Sequence, residues 1–84
     1  MEIHDFIKQR KHLVWDVGDY DALDDASIVE ATLNYGTWDD IQELIRIMGI
    51  KRVAEVFRAN AHQRRSNYYP KVANYFDLYF SKYA

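Results

Sequence analysis

Cysteine is absent from this sequence, and proline and glycine are scarce, at one and three residues in 84. Without cysteine there is no disulfide framework and no thiolate to hold a metal, and the expected setting is reducing and cytoplasmic. So little proline and glycine speaks against a series of tight hairpins and favours helices joined by short connections. No apolar run approaches the ~20 residues of a membrane span. The first residues, MEIHDFIKQRKH, are too charged for the apolar core of a signal peptide. The expectation is a soluble protein with no membrane partner. A chain of this length buries roughly 60–65% of its unfolded surface, which leaves room for one core and a single domain over residues 1–84, but not for a deep, many-walled active site.

The best-specified stretch runs from Thr37 to Gly49, TWDDIQELIRIMG. Thr37 is a suitable N-cap, and Asp40 stands three residues on, where a capping-box acid reaches back to the cap N–H. Asp39 and Asp40 place negative charge at the positive end of the helix dipole. Ile41, Leu44, Ile45 and Met48 recur at helical spacing, and Gly49 ends the helix where φ must turn positive. The other helices are expected to pack on this apolar stripe.

Around it, residues 3–11 predict a short amphipathic helix with Ile3, Phe6, Ile7 and Arg10 on one face. Leu13-Val14-Trp15 breaks that period and reads as an extended clip that drops Trp15 into the core, followed by a turn over residues 16–19. A second helix starts near Asp24 or Asp25 and runs to Tyr35, with Ile28, Val29, Thr32, Leu33 and Tyr35 inside and Gly36 as its stop. After Gly49 a helix to about Ala59 turns Val53, Val56 and Phe57 inward and Lys51, Arg52, Glu55 and Arg58 outward, with Asn60 as its end. Residues 61–69 read as a loop. Pro70 opens a last helix, where its missing N–H costs nothing. The sum is an all-α, bundle-like domain of four to five short helices.

The net charge of −2 conceals a polarity. Residues 1–45 hold three basic and eleven acidic residues, net −8; residues 46–71 hold seven basic and one acidic, net +6. One account is a charged partner for either pole. The other is self-complementation, with the two halves facing each other or sitting apart in solvent.

Tests for chemistry find little. Asp19, Asp21 and Glu30 match positions 1, 3 and 12 of an EF-hand loop, but Leu23 and Asp24 occupy the fifth position and the obligatory glycine. The three histidines, His4, His12 and His62, lack paired ligand spacing and are expected at the surface. Ser27, Ser66 and Ser81 sit in no nucleophile elbow, and no glycine loop cradles a phosphate. The expectation is therefore no enzyme, no cofactor and no metal. Nucleic-acid binding has more to recommend it. Two helices meeting at Gly49 suggest a helix-turn-helix with Lys51, Arg52 and Arg58 on the second, and Arg64 and Arg65 beyond. Against it, Ile45 occupies the position four before the turn glycine that usually holds a small residue. In YYPKVANYFDLYFSKY, Val72, Phe76 and Phe80 are expected to point inward, while Tyr75, Tyr79 and Tyr83 form a second line suited to a core rim, a protein partner or a homodimer.

With Trp15-Asp16-Val17, Tyr35-Gly36 before Trp38-Asp39-Asp40, the basic stretch 58–65 and residues 74–80 (NYFDLYF), the chain resembles a family of short bacterial and archaeal proteins classed as a domain of unknown function. The resemblance covers about residues 13–80 and includes no catalytic motif. Where that family usually ends in a tryptophan or phenylalanine pair, this chain has Tyr75-Phe76. Members are often encoded beside nucleotidyltransferase-type toxins of the abortive-infection kind. The resemblance thus implies an antitoxin-like, non-enzymatic module that binds and restrains a toxin enzyme; the charge layout then offers Asp19, Asp21, Asp24 and Asp25 as an acidic surface that could occupy a basic nucleotide or RNA site on it. The alternative is a small nucleic-acid-binding regulator using residues 46–71.

Overall fold

The computed structural model describes residues 3–14, 22–61 and 66–84, and these form five α-helices and one short 3₁₀ turn with no strand among them. The helices are α1 (Ile3–Lys8), α2 (Asp25–Tyr35), α3 (Trp38–Met48), α4 (Ile50–Ala61) and α5 (Pro70–Tyr83), with the 3₁₀ turn at Lys11–Leu13. The fold is a small all-α domain. Trp15 and the turn at 16–19, together with Asp19, Asp21, His62, Arg64 and Arg65, lie outside the described residues.

The centre of packing is α4 rather than α3. It lies against α2, α3 and α5, and Val53, Ala54 and Phe57 are fully buried. The small Ala54 brings neighbours close, and Phe57 meets Phe76 and Phe80 of α5 at ring distances of 6.2 and 5.4 Å. On α3, Ile41 and Leu44 are buried, but Ile45, Ile47 and Met48 are only partly covered. The α3 stripe is as regular as expected, and α3 too lies against three helices, α1, α2 and α4, but it buries fewer of its side chains than α4 does. From α2 come Ile28, Val29, Thr32 and Leu33, and from α1 Phe6 and Ile7. The buried Thr32 hydroxyl donates to the Ile28 carbonyl at 2.8 Å, so no polar atom there is stranded.

Local rules explain the helix ends. The Thr37 hydroxyl accepts from the Asp40 N–H at 3.2 Å, and the Asp40 carboxylate accepts from the Thr37 N–H at 3.0 Å, a complete capping box. Gly49 takes φ +86° and passes the chain into α4 with no intervening loop. Gly36 differs: its φ of −74° is open to any residue. A Cβ there would stand 2.6 Å from the Thr32 carbonyl oxygen and 3.1 Å from the Asp40 Cβ, so glycine is required by close approach.

Four local expectations are corrected. α1 stops at Lys8 instead of 11, because Arg10 leaves helical geometry and bonds tighten to i−3 (Arg10 N–H to Ile7, 3.0 Å; Leu13 N–H to Arg10, 2.9 Å). α4 runs on to Ala61, with the Asn60 amide donating back to the Val56 carbonyl at 2.8 Å instead of ending the helix. Tyr35 is not on the inner stripe of α2 but half exposed, its hydroxyl 2.8 Å from that of Tyr69. Tyr68, within the expected loop, is a core residue at 6% exposure, its ring edge-on to Phe57 at 5.1 Å.

Candidate functional site

The outward face of α5 carries aromatic residues that the core does not absorb. Pro70 starts the helix and Phe76 and Phe80 anchor it inside. Helical spacing then fixes which residues face away: Lys71, Tyr75, Leu78 and Lys82 share one meridian, with Tyr79 beside it. Tyr75 is 51% exposed, Leu78 67% and Tyr83 56%, while Tyr79 is half-buried. The first residue of α3 completes this face. Trp38, 47% exposed, meets Tyr75 and Tyr79 edge-on at 6.4 and 5.6 Å. Tyr75 and Tyr79 stack at 6.2 Å, and Tyr79 lies 4.8 Å from Tyr83. The rings thus hold one another in fixed edge and stacked geometries. A shallow hollow of about 280 Å³ lies among Tyr75, Leu78, Tyr79, Lys82 and Tyr83. At about 150–250 Å² per aromatic side chain, these exposures amount to roughly 400 Å² of contiguous surface, within the range of the largest, often functional patch on a monomer.

The sequence pattern places Tyr75, Tyr79 and Tyr83 on one line, and in the structure Tyr79 is in ring contact with both of the others; the pattern missed Trp38 and Leu78. Leu78 shares its meridian with Tyr75, so the α5 pattern alone could have added it. Trp38 looked only like a helix start; nothing in the sequence says that α3 begins beside α5.

The acidic candidates separate. Asp24 is the N-cap of α2, accepting from the Ser27 N–H at 2.8 Å, and that bond, with one from the Ser27 hydroxyl, holds its carboxyl below the usual range. Asp25 lies 3.4 Å from the Arg52 guanidinium, which also donates to Glu55 at 2.9 Å. Asp24, Asp25, Arg52, Glu55 and Asn60 line an open groove of about 530 Å³ between the start of α2 and α4. Acidic and basic sequence halves therefore meet in part, as self-complementation anticipates. Among the basic candidates, Lys51 and Arg58 are exposed on α4 beside Arg52, with Glu55 set between them. The single residue joining α3 to α4 is shorter than the three- to four-residue turn of a helix-turn-helix.

The remaining polar groups hold the scaffold. Arg10 donates from Nε to Asp40 at 2.8 Å and from Nη1 to the Phe6 carbonyl at 3.2 Å, with its guanidinium 4.2 Å from the Phe6 ring centroid. Partial burial works to raise the Asp40 pKa, but the Thr37 and Arg10 hydrogen bonds outweigh it and hold the carboxyl low. Asn34 clamps the entry to α5, donating to the Asn67 carbonyl at 3.1 Å and accepting from the Tyr69 N–H at 3.3 Å. Glu30 is pushed up, mainly by burial, against a lowering hydrogen bond from Asn67. Burial, and secondarily the charge of Glu30, also raises the Tyr68 phenol, whose buried hydroxyl has no hydrogen-bond partner among the described residues. His4 is half-buried, its Nε2 2.8 Å from the Leu23 carbonyl oxygen, and His12 is exposed. Among the described residues no three metal-ligating side chains converge, and no helix is long and apolar enough to cross a membrane.

Fold and surface together define a small all-α domain with an exposed aromatic face formed by α5 and the start of α3. Comparison of the chain with protein-family models, curated proteins and solved structures gives no match.

Proposed function

We propose that this chain is a non-enzymatic interaction module, antitoxin-like, that binds and restrains a partner enzyme through the face formed by Trp38, Tyr75, Leu78, Tyr79 and Tyr83. The observation that carries this reading is the 47–67% exposure of Trp38, Tyr75, Leu78 and Tyr83 on helices fixed by a buried core. Tyrosine and tryptophan give rigid contact area at low entropic cost and dominate the energetics of interfaces. Leaving them in water serves no purpose in folding. The toxin-like identity of the partner rests on the sequence resemblance alone.

The aromatic face supports docking better than the acidic residues do. Asp24 is engaged as a helix cap and Asp25 lies against Arg52, so neither is fully available to a basic partner. The test is co-expression with the product of the neighbouring gene. A complex and relief of growth arrest are expected for the native chain. Trp38→Ala with Tyr75→Ala should weaken the complex by at least about 30-fold, as loss of interface hot spots does, while Asp24→Asn and Asp25→Asn leave it nearly unchanged. The reverse pattern would return the site to the acidic surface. A complex that forms with nucleic acid instead, salt-dependent and lost on Lys51→Glu with Arg58→Glu, would favour the regulator reading.

A further inference from the structure

The charges on the aromatic face specify its occupant further. The outward meridian of α5 is Lys71, Tyr75, Leu78 and Lys82, so along this helix the apolar stripe is closed at both ends by a lysine and carries no acid. The one acid of α5, Asp77, lies on the far flank, and the eleven steps from Lys71 to Lys82 span about 16 Å of helix. Resting on the reading above, we infer that the face receives an acid-flanked amphipathic helix of a partner protein, its apolar stripe on Trp38, Tyr75, Leu78 and Tyr79 and its acids on Lys71 and Lys82.

Area and charge both favour this occupant. Roughly 400 Å² is about half of what one side of a standard interface between globular proteins buries, a fit for a single docked helix. A second copy of the chain fits poorly. In a two-fold, antiparallel pairing of α5 about any point between residues 75 and 79, Lys71 of one copy falls within about 8 Å along the axis of Lys82 of the other. Like charges would then meet at both ends with no acid on either helix face to offset them. Single-stranded nucleic acid is disfavoured too, because two lysines do not make the continuous basic track that a phosphate backbone requires.

A displayed library of 16-residue peptides, selected on the full chain, tests this. Enriched peptides are expected to carry apolar residues at i, i+3 or i+4 and i+7, with Asp or Glu at the ends. Lys71→Glu with Lys82→Glu, both at exposed positions, should weaken the best synthetic peptide about tenfold, and replacing its acids by lysine should restore binding to that variant. Peptides that bind the same face but are basic or neutral, or are indifferent to the charge reversal, would overturn the inference and leave the docking face standing. Enrichment no better than on the Trp38→Ala, Tyr75→Ala chain would overturn both. Sedimentation showing a dimer that Leu78→Asp dissociates would overturn the inference in favour of a second copy.

Discussion

Gly36 and Gly49 both end helices, yet they should fail differently on substitution. Gly36 has ordinary dihedral angles and no room for a side chain; Gly49 has φ +86° and open space where a Cβ would stand, with no described atom within 4 Å. Gly36→Ala should cost about 1–3 kcal/mol through overpacking, and Gly36→Asn at least as much. Gly49→Ala should cost about 1–2 kcal/mol through backbone strain, and Gly49→Asn less, since asparagine tolerates the left-handed region. Denaturant midpoints separate the two patterns. Tyr68 gives a prediction of opposite sign. Its buried hydroxyl has no partner among the described residues, so Tyr68→Phe should stabilise the fold by about 1 kcal/mol. Glu30 adds a pH signature. Its raised pKa means that the folded state holds the proton more readily, so its contribution is best below the ordinary 4.5 and falls as pH rises through the raised value. Glu30→Gln should therefore raise the midpoint at pH 7 but not at pH 4.

Among the elements, α1 and α3 are tied by one side chain pair. Asp40 closes the α3 capping box and receives Arg10 from beyond α1. Because its folded pKa is lowered, the associated stability is fully present above the ordinary 3.8 and is lost as pH falls through the folded value. Urea unfolding between pH 2 and 7 should show this acid limb in the native chain and a flatter one in Asp40→Asn. Thr37→Ala removes the other half of the box and should cost about 1 kcal/mol at pH 7. This box was legible in the sequence because a cap is decided by residues three apart. The Arg10 contact was not, because thirty residues separate the partners. The same reason explains Tyr68: a segment without periodicity gives no sign that one of its rings reaches Phe57.

For the molecule as a whole, the all-α architecture was legible from periodicity, while the assembly of helices was not. The α3 stripe is the cleaner pattern, but α4 buries more of its side chains, and the depth at which a helix packs is a tertiary property that a pattern does not encode. Phe57→Ala should therefore cost about 3–5 kcal/mol, a large part of the 5–15 kcal/mol expected for a small domain, and thermal unfolding followed by circular dichroism would register it. The aromatic face was half legible for the same reason: the tyrosines belong to one helix, whereas Trp38 arrives from another.

The connections α2–Gly36-Thr37–α3 and α3–Gly49–α4 contain no spare residue. A residue added at either joint has no loop to absorb it, so it must either bulge out or shift the register at which the next helix meets its neighbours. Residues 25–61 thus pack as one unit of fixed length, in which even a one-residue insertion at a joint disturbs the helix on each side of it.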